Sequence, residues 1–500
     1  MRLSASSTTS PLRSLLALLA LFTPLAATSS ASADEPKPFV ELTTLRILRD
    51  KGVITPEEYD SAVKDIGDTS GAKAPDSNTL VIGKWATTLY GFVEADQIYD
   101  STQSLGEVPG NSQIARAGTY GGDHDRVTFT IRNSRIGLRS KAPEYAGIRA
   151  SAQLEMDFLG TQLPIGTGQP YFGSEGANFT NATFRTRHAF LKVETPIVDV
   201  LMGQYWQLYG WQSAYHPNTV ELQGIPGQIY SRTAQIRISK TVKTEAITFE
   251  AAIAAMRPPQ RDAGVPEGQA GMRLAFNGWT GVQTAGATST SIQPLSLAVT
   301  GDLRRVRTPE FTAAPKDSKD RAAGAVAVDA FVPVLPGSKD KMGNSLSLNG
   351  EVSTGYGVAD LYTGLSGGVA NPNLPNPTNV SPAPTYTPDV DPSIAVFDAD
   401  GVLHFIQWTS LLVGVQYYLP GLNGHVWVSG NYSHLQSANT KNYATAVKAR
   451  DSIDWFDANV FTDVTPALRF GLGYANFNDR YVDGMHAINH RLQLSGFYIF

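Results

Sequence analysis

The sequence predicts an all-β protein: a transmembrane antiparallel β-barrel of about 16 strands, preceded by a short α-helical hairpin. Three observations predict it. From Trp85 onward apolar and polar residues alternate with period two, most cleanly in Ile148–Phe158, where Ile148, Ala150, Ala152, Leu154, Met156 and Phe158 interleave with Arg149, Ser151, Gln153, Glu155 and Asp157. A helix through that stretch would spread its charges around every side, whereas a strand sorts them onto one face. The last strand is apolar on one face (Leu492, Leu494, Gly496, Tyr498, Phe500) and polar on the other (Arg491, Gln493, Ser495). Short turns and long polar loops also take turns between the strands, as they do when the two rims of a barrel face different compartments.

The elements follow in chain order. Arg2 and Arg13 flank Leu15–Phe22, an apolar run closed by Ala31-Ser32-Ala33, which predicts a signal peptide over residues 1–33 and a mature chain from Asp34. Residues 34–67 predict two short periplasmic helices. Phe39, Leu42 and Leu45 recur at helical spacing and Gly52 ends the run; Thr55-Pro56-Glu57-Glu58 is a capping box with Pro at the first helical position. Residues 68–83 are a Gly/Ala/Ser/Pro-rich linker, and residues 84–500 form the barrel.

Within the barrel, strands are predicted to begin near Trp85, Arg126, Ala146, Thr183, Val198, Ile229, Ala246, Gln269, Leu295, Ala322, Ser345, Val402, His425, Ser452, Leu468 and His490, with Val402–Leu419 taken as one long strand. Alternation falters at Ile131–Arg135, which predicts a bulge. The long loops are Ser101–Asp125, Gly160–Asn181, Gln212–Gln228, Pro258–Gly268, Leu361–Asp400 and Ala438–Arg450. Thr280–Pro294 fits neither class of connection, being too long for a turn on the short-turn rim.

Composition narrows the function. The chain has 500 residues and no Cys, which excludes a disulfide scaffold, thiolate zinc sites and thiol catalysis. Removing the signal's two arginines from the 40 Lys+Arg leaves 38 against 45 Asp+Glu, a net −7 that does not suggest nucleic acid as a partner. Gly364-Leu-Ser-Gly-Gly368 matches a nucleophile-elbow pattern but lies in a Gly/Pro/Asn-rich loop, without the strand and helix that turn needs. Asp398-Ala-Asp-Gly401 reads as a solvated turn, not a calcium loop, and His404, His425 and His434 as rim or lumen residues. No enzyme activity, metal or cofactor is expected.

Several motifs carry resemblances. His490–Phe500 resembles the C-terminal recognition signal of bacterial outer-membrane proteins, with Ser495 where that signal usually has Gly. Leu42–Ile66 resembles the SHOCT oligomerisation hairpin. Leu89-Tyr-Gly-Phe-Val, Asn133-Ser-Arg-Ile-Gly-Leu-Arg139, Thr186-Arg-His-Ala-Phe190, Met202-Gly-Gln-Tyr-Trp206 and Ala234-Gln-Ile-Arg-Ile238 together resemble Gram-negative trimeric porins, the DcaP-like branch most of all. The resemblance spans roughly residues 85–500. It implies a sixteen-stranded outer-membrane barrel, a homotrimer, and a loop folded into each pore. The N-terminal hairpin departs from the longer coiled coil expected of that branch.

Selectivity in such a pore comes from its width and from charges at its narrowest point. Alternation and the family register together place Arg135, Arg139, Arg149, Arg185, Arg187, Arg237 and Arg273 toward the lumen, with Glu94, Asp96, Glu155, Asp157, Glu250 and Glu351. Gln204, Trp206 and Tyr209 lead into the third long loop, the candidate for inward folding. The planar guanidinium fork suits carboxylates and phosphates. The reading is a passive diffusion channel for small hydrophilic solutes leaning toward anions such as dicarboxylates, with outer-membrane lipid, itself and those solutes as partners. A plugged surface barrel, a lipase-type barrel enzyme and a soluble periplasmic β-protein are the alternatives.

Overall fold

The computed structural model describes residues 49–51, 55–59, 79–82, 85–109, 114–160, 182–222, 224–258, 263–286, 288, 290–310, 312, 314–365, 394–398, 400, 402–443 and 449–500. The chain divides into two units, Met1–Pro75 and Asp76–Phe500. In the first, the capping box is formed: the Thr55 amide donates to Glu58 Oε2 (2.8 Å), and the Glu58 amide donates to Thr55 Oγ1 (3.1 Å). The signal peptide, most of the hairpin and most of the linker lie outside the described residues.

The second unit is a closed antiparallel barrel of 16 strands. They are β1 (Trp85–Asp100), β2 (Arg126–Thr130 and Arg135–Lys141, both paired to β1), β3 (Arg149–Asp157), β4 (Arg185–Glu194), β5 (Asp199–Trp206), β6 (Arg232–Lys243), β7 (Ile247–Met256) and β8 (Glu267–Gln283). There follow β9 (Ser291–Pro309), β10 (Ser318–Leu335), β11 (Leu346–Tyr356), β12 (Gln407–Tyr418), β13 (Val426–Ser437), β14 (Arg450–Thr465), β15 (Leu468–Tyr481) and β16 (His486–Ile499). β16 pairs with β1 from Phe92↔Ile499 to Asp100↔Arg491, so the sheet has no free edge. A short strand, Thr79–Ile82, folds back on the start of β1.

The alternation in the sequence becomes an inside and an outside. On β6, Ile236 and Ile238 are 50% and 42% exposed, while Gln235 and Arg237, which alternate with them, are 5% and 8%. The exposed face carries Val93, Phe129, Ile253, Leu303, Val352 and Val460, and the lumen face carries serines, asparagines and charges. A water-soluble sandwich has the opposite sense, apolar in and polar out. An apolar exterior around a polar interior is what a barrel in a bilayer requires. No described helix is long and apolar enough to cross a membrane; the strands do so here.

The predicted bulge sits at residues 131–134, between the two halves of β2. Ser134 Oγ holds the gap, accepting from the Glu94 amide (2.9 Å) and donating to the Glu94 carbonyl (3.1 Å). One strand expectation is corrected. Val402–Leu419 is not a single strand: Leu403–Phe405 pairs with Ala395–Phe397 as a hairpin of the long connection between β11 and β12, and the wall strand begins only at Gln407. Both pieces are apolar and alternate, so the sequence pattern runs across the joint unbroken. Asp398 does make a turn, its Oδ1 accepting from the amides of Asp400 and Val402 (both 2.9 Å).

Candidate pore constriction

The third long loop, residues 207–231 (L3), folds into the barrel. A loop in a lumen must find partners for its backbone groups, because each buried orphan costs about 1–3 kcal/mol. Lumen-facing side chains supply them. Gln269 Oε1 on β8 accepts from the amides of Leu208 and Tyr209 (3.0 and 2.9 Å), and Thr300 Oγ1 on β9 from Gly210 (2.9 Å). Ser429 Oγ and Asn431 Nδ2 on β13 both donate to the Asn218 carbonyl (2.8 Å each). Asn459 on β14 and Gln493 on β16 take the Val220 amide and carbonyl (3.2 and 2.9 Å). Glu351 Oε1 on β11 accepts from the Ile229 amide (2.9 Å), and Ser410 Oγ on β12 donates to the Gly227 carbonyl (2.6 Å). Gly210 turns the loop at φ 74, where Ile229 lies only 3.1 Å from where a Cβ would be.

These partners belong to β8, β9, β11, β12, β13, β14 and β16. L3 therefore lines the β8–β16 half of the lumen, and a polar cavity of about 310 Å³ lies between it and β1–β6. Arg135, Arg139, Arg187 and Glu155 line that cavity from the wall, and Tyr230 and Glu221 from L3.

Arg187 is aimed by a break in the ladder. Glu155 pairs with His188 and Met156 with Thr186, so Arg187 is the extra residue of a bulge, and both it and His188 turn inward. Its Nε donates to Glu155 Oε1 (2.8 Å) and its Nη1 to Asp157 Oδ2 (3.1 Å). Arg185 also binds Asp157, and Arg135 Nε is 3.6 Å from Glu155. Among the described residues Arg139 meets neutral groups, donating to Gln153 Oε1 (3.3 Å) with its guanidinium over the Tyr90 ring (4.9 Å). Trp206 forms a platform, with Tyr230 at 4.9 Å, His216 at 5.0 Å and the Arg232 guanidinium at 4.7 Å.

The electrostatics of the loop groups follow from this crowding. Burial would raise the Tyr230 phenol, but Arg187, Arg232 and Arg135 outweigh burial and bring it down to about 7. Burial pushes Glu221 up to about 7, against the pull of Arg491. Burial, with Arg187 and Arg232 beside it, holds His216 down to about 4, so it stays neutral near pH 7.

The remaining sequence-predicted residues spread along the lumen. Arg237 is buried, donating to Gln235 Oε1 (2.9 Å) and the Trp206 carbonyl (2.6 Å). Arg273 binds Glu250 (2.5 Å) beside a second cavity under L3. Glu94 accepts from Asn133 (2.6 Å), and Asp96 accepts from Ser495 (2.6 Å) and Gln493 (3.2 Å). Arg149 is 64% exposed at the start of β3, 3.7 Å from Glu194, away from the narrow region. Gln204 departs from expectation. It shares a face with the exposed Met202, and its amide donates to the carbonyls of Thr186 and Arg187 (2.8 and 3.2 Å), so it props the bulge instead of lining the pore. Sequence reasoning missed Arg232, Tyr230 and His216. Arg232 sits at a strand end where alternation breaks down, and loop residues carry no periodicity. Among the described residues no group of three His, Asp or Glu side chains could hold a metal.

No family model and no curated protein matches the sequence. Solved structures do. The crystal structure of the outer membrane channel DcaP of Acinetobacter baumannii is 17% identical, with 83% of this chain and 97% of that one covered, at a TM-score of 0.59. This is the fold of an outer-membrane porin. Other porin-fold matches include OmpT of Vibrio cholerae, folded in vitro (8% identical; 85% and 100% covered; TM-score 0.45), and OprB of Pseudomonas putida at high pH (9%; 82% and 94%; 0.45). The porin fold accounts for the apolar exterior and the alternation of short and long connections.

Proposed function

We propose that the chain is a passive outer-membrane diffusion channel that favours small hydrophilic anions, dicarboxylates among them. One observation carries this reading. L3 takes up the β8–β16 side of the lumen, and solutes pass along the wall where Arg135, Arg139 and Arg187 face Glu155 and Glu221. The arginines outnumber the carboxylates there, and low-dielectric walls focus the field of such a slot. A carboxylate solute can take a guanidinium fork while the rest of the slot stays wet.

The channel assembles as a homotrimer through its walls, a reading that the small or apolar outward residues Ala150, Ala152, Ala251 and Leu494 support. Native mass spectrometry in mild detergent reads the stoichiometry, and a monomer there overturns it. The selectivity test is the reversal potential of single channels across a salt gradient, repeated with Arg135→Ala and Arg187→Ala. Anion preference that weakens in both variants is expected. Cation preference in the wild type, or no shift in either variant, overturns the assignment; no conductance at all favours the plugged-barrel alternative.

A further inference from the structure

The connection between β8 and β9 is on the short-turn rim, yet it does not stay there. The two strands pair within the wall from Gly268↔Leu303 to Phe276↔Leu295, shift register, and pair again from Thr280↔Pro294 to Gln283↔Ser291. Over that second stretch they leave their wall neighbours. β8 pairs with β7 only as far as Phe276, and β9 with β10 only from Ser296. Thr280–Gln283 and Ser291–Pro294 thus form the arms of a hairpin that turns inward.

Its new partners lie on β11, β12 and β15, beyond the strands that flank it in the wall. Ser347 Oγ on β11 donates to the Val282 carbonyl (2.5 Å). Gln416 on β12 binds Thr284 with both ends of its amide, Oε1 accepting from the Thr284 amide and Nε2 donating to its carbonyl (3.0 Å each). Arg469 on β15, held by Asp463, donates from Nη1 to the carbonyls of Gly286 and Thr288 (2.8 and 2.9 Å). Val282 is fully buried in an apolar cluster with Tyr418, Trp427, Phe461 and Val220 of L3. Gly281 permits the inward bend, since a Cβ there would meet Pro333 at 2.7 Å.

At the tip, Ala285, Gly286 and Thr288 line the same cavity as Arg135, Arg187 and Tyr230. We propose that this hairpin is a second constriction element: it enters from the rim opposite the long loops, meets L3, and sets the width of the anion slot from the exit side. The inference rests on the channel reading above. The hairpin has no charged residue between Asn277 and Gln293, so it limits size and leaves the sign of selectivity to the arginine wall.

The experiment replaces residues 284–290 with Asn-Gly, a two-residue connection suited to antiparallel strands. Removing one side of the slot should raise single-channel conductance roughly twofold while the reversal potential keeps its sign. The double substitution Gln416→Ala with Arg469→Gln keeps the hairpin but removes its grip, and should add transitions to a higher conductance level. A shortened protein with wild-type heat-modifiable gel mobility and wild-type conductance overturns the proposal. If the shortened protein does not fold, steady wild-type current in the double variant overturns it instead. A rise in conductance with cation preference would sink the anion reading and leave the hairpin's role standing.

Discussion

Arg491→Ala tests whether L3 is locked to the wall by charge. Arg491 lies on β16 and is 1% exposed. It donates to both oxygens of Asp100 (2.9 and 2.8 Å), to Glu221 Oε2 on L3 (3.1 Å), and to the carbonyls of Glu107 and Gly106 in the first long loop (2.9 and 2.8 Å). The variant strips the cation from two buried carboxylates at once. Removing one partner of a buried pair costs about 3–5 kcal/mol, a shift of roughly two to four orders of magnitude in the unfolding constant. Part of that cost depends on pH through Glu221, whose folded value of about 7 is raised by burial. A carboxyl raised on folding contributes its stability below its unfolded value and loses it as pH rises through the folded one. The deficit should therefore be larger at about pH 8 than at about pH 5, where Glu221 carries a proton and needs no cation. Urea unfolding in detergent, followed by tryptophan fluorescence, reads the stability, and single-channel current reads the loop. A loss below about 1 kcal/mol at both pH values, with wild-type current noise, would refute the lock.

Three further outcomes are expected. Arg139→Gln removes one lumen charge without orphaning a carboxylate; a unit charge about 4 Å from a passing ion favours an anion and opposes a cation by about 1 kcal/mol each in water, so the anion-to-cation permeability ratio should fall by up to about thirtyfold, read from reversal potentials. Raising the pH through about 7 ionises both Tyr230 and Glu221 in the slot, so anion preference should decline over that window and stay flat in the combined Tyr230→Phe, Glu221→Gln variant. Gly203→Ala should cost about 1–3 kcal/mol in the unfolding assay, because Gly203 has φ 126 and a Cβ there would lie 2.3 Å from the Ala189 carbonyl oxygen.

Much of the barrel was legible because a period of two reports a face directly. Fifteen of the 16 strand starts lie within four residues of where alternation sets in, the twelfth is displaced because a loop strand precedes it, and the bulge near Ile131 shows as a lapse in alternation. The lapses that carry function were harder to read. Arg187 and His188 both enter the lumen because a residue is inserted opposite Glu155, and only the pairing register displays that. Gln204 reads as polar and so as inward, yet its amide serves the bulge's carbonyls from the outer side. The hairpin between β8 and β9 was visible only as a turn of the wrong length. Its targets, Gln416 and Arg469, are more than 100 residues away, and nothing local in the sequence points to them.

The lumen arginines do two different jobs, and burial separates them. Arg304 is buried against Glu267, Asp302 and Asp360, Arg450 against Asp479, and Arg491 against Asp100 and Glu221. In each case a wall guanidinium binds carboxylates at the long-loop end, and its fork also takes loop groups: Gly357 for Arg304, Gly364 for Arg450, Gly106 and Glu107 for Arg491. A planar donor with five N–H groups suits that work, and a lysine does not. These neutralised networks add little to the field farther along the pore. Arg135 and Arg139 differ: one shares Glu155 with Arg187, and the other faces a glutamine. Surface charge more than about 8 Å away is screened at physiological salt. A chain that is negative overall can therefore present a positive slot, because its acids are spent in fixing loops and its under-compensated arginines stand where L3 and the inward hairpin narrow the path.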